Sequence, residues 1–156
     1  MTKDKMKYSE KISKKLNTLL EKTYDAEKGY QLAVDKIETP SVRSFLKDKV
    51  RQRNTFGHEL KTEIGKFGEL PEKGGSFKGD FHRAWMNFTA TISGNETERI
   101  LVEVERGEIA SLNEYNDILN DNDVTLPPST RNLLGKQRDM IQAALNTSRV
   151  YEELVS

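Results

Sequence analysis

Apolar residues recur along this chain at alternating steps of four and three. Over residues 8–37 the positions are Ile12, Leu16, Leu19, Thr23, Ala26, Tyr30, Ala33 and Ile37. That heptad-like seam predicts one long helix. Thr39-Pro40 then reads as an N-cap and first-turn proline, opening a second helix over 40–67. Its seam is Val42, Leu46, Lys49 or Val50, Arg53, Gly57, Leu60, Ile64 and Phe67, and Gly68 is a natural stop. A turn-rich stretch (GELPEKGGS) follows, then a shorter amphipathic piece over 77–92 with Phe81, Trp85, Phe88 and Ile92 on one stripe. Asn95, with Glu98 three residues later, suggests a capping box for a helix over 96–120. That helix shows Leu101, Val104, Glu108, Leu112, Tyr115 and Leu119. Asp121-Asn122-Asp123 and Pro127-Pro128 separate it from a last helix over 128–155. The last seam is Leu134, Gln137, Ile141, Ala144 or Leu145, Ser148, Tyr151 and Val155. No stretch alternates as a strand would.

Loop lengths predict the topology. The first and last helix pairs are joined by short loops, so each pair forms an antiparallel hairpin. The central connection is roughly 28 residues long and carries its own helix, long enough to cross a bundle end to end. The second and third long helices are then parallel. The reading is an all-α, single-domain four-helix bundle over 1–156 with one crossover, which is the ferritin-like arrangement.

Composition narrows the function classes. Lys+Arg and Asp+Glu each number 25, so the formal net charge is zero. That disfavours a nucleic-acid binder working by bulk charge and a polybasic membrane anchor. Charged residues are 32% and mean hydropathy is −0.75, so the apolar residues must be concentrated on one face of each helix. No apolar run exceeds three residues, which predicts no membrane span, and a cytoplasmic location is expected. With no Cys, thiolate metal sites and Cys nucleophiles are excluded. No GxSxG, GxGxxG or Walker A motif is present. The Lys-rich segment Met1–Lys15 reads as a frayed helix start.

Four segments carry a family resemblance. They are Asp25-Ala26-Glu27-Lys28-Gly29-Tyr30; Arg51-Gln52-Arg53 with Glu59-Leu60; Gly79 with His82-Arg83-Ala84-Trp85; and Glu105-Arg106-Gly107-Glu108 with Tyr115. From about Lys15 onward the chain resembles a bacterial family of ferritin-like four-helix bundles known as a domain of unknown function. The GxxHRxW pattern of Gly79, His82, Arg83 and Trp85 is its most specific piece. The last helix matches least well. The resemblance implies a fold and no reaction.

A ferritin-like di-metal site needs a Glu from each of two helices and Glu-x-x-His from each of the other two. Here Thr55 precedes His58 by three residues and Gly79 precedes His82, and no Glu lies between residues 129 and 151. The di-iron signature is therefore absent. Charges nonetheless fall on the seams. Arg53 and Glu108 sit directly on them, and Glu27 is seven residues from both Leu20 and Val34. Counted from the helix ends, Glu27, Arg53, Glu108 and Gln142 stand at similar heights. The expectation is a polar core layer of one residue per helix, with Arg53 in place of a metal, bridging Glu27 and Glu108 while Gln142 takes a remaining hydrogen bond. Tyr30 and Tyr115 are candidate redox partners, or core aromatics whose hydroxyls bond a buried carboxylate. His82 and Arg83 are expected to pin the crossover helix to the bundle by hydrogen bonds, or else to present a small anionic patch-binding surface. The leading function is a non-enzymatic structural or partner-binding protein without a cofactor. The alternative is a metal-binding or ferroxidase-like protein holding iron or manganese on Glu27, Glu105 and Glu108. A third reading is an interaction module in a homo-oligomer. The protein partner has no sequence signature.

Overall fold

The computed structural model describes residues 2–72 and 97–155, with side chains from residue 8 onward. Four helices make up nearly all of it: α1 (Thr2–Lys36), α2 (Pro40–Lys66), α3 (Thr97–Leu119) and α4 (Pro128–Val155). The crossover helix expected over 77–92, its motif Gly79, His82, Arg83 and Trp85, and the cap Asn95 lie outside the described residues.

One helix start differs from expectation, and another matches it in place but not in its capping bond. α1 begins at Thr2, well before residue 8, because this Lys-rich segment contains no Gly or Pro to break the helix. Thr39 does stand at the N-cap of α2 with extended backbone, but its side chain makes no capping bond. Its hydroxyl instead lies 3.3 Å from that of Thr97 at the start of α3, a bond across the same end of the bundle. At the other end of α2 the amides of Phe67 and Gly68 close onto Ile64 and Gly65, and Gly68 takes φ +75°, the left-handed stop that glycine adopts without strain.

Side-chain pairs fix the helix directions. Between α1 and α3, Lys15 meets Asp121, Lys22 meets Glu114 and Tyr30 meets Glu108, so one number rises as the other falls. Between α2 and α4, Phe45 packs on Tyr151 and Glu63 bonds Thr130, again antiparallel. With α1–α2 and α3–α4 as hairpins, α2 and α3 run parallel. The α1–α2 approach is close at Gly57, where an added Cβ would come into ordinary contact at 3.8 Å from Leu20 and Tyr24.

Apolar side chains collect in two clusters, one toward each end of the bundle. One contains Ile12, Leu16, Phe56, Leu60, Tyr115 and Leu134, together with Val124 and Leu126 from the α3–α4 loop. The other contains Ala33, Ile37, Val42, Leu46, Leu101 and Val104. The two loop residues were not expected in the core. They bury there because the loop folds back under α1, where Tyr8 donates to the Thr125 carbonyl at 2.6 Å. Among the described residues no helix is long and apolar enough to cross a membrane.

Candidate functional site

Between the two apolar clusters, α2 and α3 each place a charged side chain in the interior. α2 supplies Arg53, between Leu46 of one cluster and Phe56 of the other. α3 supplies Glu108, between Val104 and Tyr115. Their side chains are only 2% exposed, and the Arg53 guanidinium donates from Nη2 to Glu108 Oε1. From α1 the Tyr30 hydroxyl donates to that same oxygen. Arg53 Nη1 also donates to Gln52 Oε1 at 2.9 Å, and the guanidinium stands 5.6 Å from the Tyr30 ring centre and 5.5 Å from that of Phe56. The charge is thus bonded on its edge and covered by aromatic faces, a placement the planar guanidinium suits better than an ammonium would.

Helix geometry explains why these three residues meet. Side chains lean toward the N-terminus of their own helix. Arg53 therefore leans toward the α1–α2 turn, while Tyr30, on the opposed helix, leans away from it. Electrostatics follow from the contact. Burial lowers the Arg53 pKa, but Glu108 outweighs it and leaves the guanidinium above its ordinary value. Burial and then the Glu108 charge hold the Tyr30 phenol well above its usual range, so it keeps its proton. Lys49, half-buried one turn before Arg53 and 5.5 Å from the Phe45 ring centre, has its ammonium disfavoured by burial.

Two members of the expected layer are elsewhere. Glu27 is only half-buried and accepts from Asn54 Nδ2 at 3.3 Å. Asn54 is about 100° around α2 from Arg53, so Glu27 sits on the outer side of the α1–α2 interface. Arg53 does not bridge it. Gln142 is exposed and bonds Asn146 at 3.0 Å. It lies one residue past buried Ile141, hence off the inward stripe; height along the axis selected it without regard to face. The inward glutamine of α4 is Gln137, fully buried. It accepts from the Tyr115 hydroxyl at 2.7 Å and donates to Glu59 at 3.1 Å and to the Phe56 carbonyl at 3.5 Å. Tyr115 therefore bonds an amide rather than a carboxylate, and burial raises its phenol pKa.

A second buried carboxylate was not anticipated. Glu63, 4% exposed, accepts from Thr130 Oγ1 at 2.7 Å, Ser129 Oγ at 3.0 Å and Lys66 Nζ at 3.1 Å. Burial raises its pKa, but the bonds from Thr130, Lys66 and Ser129 outweigh that and leave it below the usual carboxylate range. Its two hydroxyl partners open α4, where unpaired backbone N–H groups and the helix dipole favour an anion. The sequence clue was Glu63 one residue before Ile64 on a helix whose buried face is wider than a single seam.

Glu105 does not join Glu108. Its side chain faces α4, where Arg149 Nε donates at 3.0 Å and the Glu152 carboxyl lies beside it. The contact between the two carboxyls pushes Glu152 up, while that contact and the Arg149 guanidinium hold Glu105 down. Among the described residues no group of three or more His, Asp or Glu side chains is arranged to hold a metal ion. Glu27, Glu105 and Glu108 point to three different environments, and the place between the helices at Glu108 is taken by a guanidinium. The described residues do not fit the di-metal centre that a ferritin-like bundle would imply.

Comparison with known proteins agrees on the family level. No curated protein matches the chain. The sequence profile of DUF2383, a domain of unknown function, matches residues 11–121, which span most of α1 and all of α2 and α3. Tyr30, Arg53 and Glu108 all lie inside that match, Ser129, Thr130 and Gln137 lie beyond it, and the chain belongs to the DUF2383 family.

Proposed function

We propose that this protein is a ferritin-like bundle that has exchanged metal chemistry for a fixed internal ion pair, and that it serves as a non-enzymatic structural or partner-binding protein of the cytoplasm. The observation that carries this reading is the Arg53 guanidinium, buried on Glu108 between the two apolar clusters. A carboxylate in that place needs a cation, and a guanidinium supplies permanent charge with no redox chemistry and no open coordination position. The parallel run of α2 and α3 supports the ferritin-like part. The zero net charge supports a protein rather than a nucleic-acid partner.

Metal analysis by mass spectrometry on untagged protein, as purified and after anaerobic Fe(II) or Mn(II) loading, tests it. The expected result is no stoichiometric metal. Iron or manganese retained in one or two equivalents, and lost in Glu108→Ala, would overturn it.

A further inference from the structure

We propose that one neutral, water-sized hydrogen-bond donor is held between Glu108 Oε2 on α3 and Ser148 Oγ on α4. The inference rests on the ionic-layer reading and extends it to the fourth helix. Glu108 uses one carboxylate oxygen for both Arg53 and Tyr30. Its other oxygen is buried with no side-chain or backbone partner, and so is the hydroxyl of Ser148, a residue with no exposed surface. Ser13 Oγ and Glu152 Oε2 are likewise unpartnered, but the helix register brings Glu108 Oε2 and Ser148 Oγ to one level, which points to a shared bridging group.

The contacts of the neighbouring residues bring the two together. Glu105 reaches Arg149 and Glu152. Glu108 is three residues further along α3, and because α4 runs the other way its carboxylate comes level with residues 146–149. Within that window Ser148 is the buried residue of α4. Ala144, one turn earlier on the same stripe, is small and also buried.

Charge and donor counting then choose the ligand. Arg53 already balances Glu108, so a cation would leave the layer with excess positive charge and an anion would face a carboxylate. A carboxylate oxygen only accepts, so the bridging group must donate to it. A hydroxyl donates or accepts, so Ser148 can serve either end of a water. With that bridge in place each helix contributes one polar residue to the layer: Tyr30, Arg53, Glu108 and Ser148.

Water-oxygen magnetic relaxation dispersion on the full chain tests this, comparing wild type with Ser148→Val, which fills the space, and Ser148→Ala, which removes one partner. Far-UV circular dichroism confirms that each variant folds. The expected result is the loss of one long-lived water in Ser148→Val and its shortened residence in Ser148→Ala. An unchanged dispersion amplitude in both variants overturns the inference. So does a high-resolution crystal structure in which Ser148 bonds Glu108 directly. Either failure leaves the Arg53–Glu108 reading standing if those two residues remain energetically coupled, so the two ideas fall separately.

Discussion

Among the described residues Asp25, Glu63 and Glu108 are buried carboxylates, and the last two are stabilised in different ways. Glu63 stands where α4 begins. Two hydroxyls, a half-exposed lysine and the positive end of a helix surround it. Glu108 stands mid-helix, where every nearby backbone N–H is already committed to an intrahelical bond, and it is held by a buried guanidinium and a tyrosine. The difference teaches that position along a helix decides what a buried anion requires. Near a helix start, hydroxyl donors and the dipole share the task with a partly exposed lysine. In the middle, only side chains can stabilise the charge, and one of them must be a cation.

The sharpest way to break the comparison is to remove the cation. Arg53→Ala strands Glu108 without a counter-charge, and urea denaturation is expected to show a loss of about 3–5 kcal/mol. Removing both charges is expected to undo most of that. The pair Arg53→Met with Glu108→Leu should fold with stability near wild type, because a buried ion pair is often replaceable by apolar groups of similar volume. Tyr30→Phe keeps the pair but takes one donor from a charged acceptor, and a loss of roughly 1.5–3 kcal/mol is expected in the same assay.

The other carboxylate should respond more weakly and through pH. Its pKa in the folded protein is below that of the unfolded chain, about 4.3 for Glu. The stability it contributes is therefore present above that value and is lost as pH falls through the lowered folded-state value. Glu63→Gln is expected to lose about 1 kcal/mol near neutral pH and to flatten the acid limb of a stability–pH profile. Glu27→Ala and Gln142→Ala, both at the periphery, should change stability by no more than about 0.5 kcal/mol.

Much of this was legible in the heptad pattern. Arg53 and Glu108 stood out because a charge at the position of a Leu or Val has to be explained. Tyr30 lay on the same seam. Glu27 misled because its heptad neighbours Leu20 and Val34 are buried, whereas a carboxylate at that edge is better served by turning outward once Arg53 is engaged. Gln142 misled because height along the axis says nothing about face; Gln137 and Ser148 were already on the inward stripe of α4. Glu63 escaped notice because its two hydroxyl partners are contributed by a helix start 66 and 67 residues away. No local spacing encodes that meeting. The same holds for Val124 and Leu126, apolar residues in a loop that has no periodicity to reveal them.

The central claim is that Arg53 is the counter-ion of the mid-bundle layer. A double-mutant cycle with Arg53→Met and Glu108→Leu, read by equilibrium urea unfolding, tests it most directly. The account predicts that each single change is strongly destabilising, that the double variant is close to wild type, and that the coupling exceeds about 2 kcal/mol. Single losses that simply add, with coupling below about 0.5 kcal/mol, would contradict it.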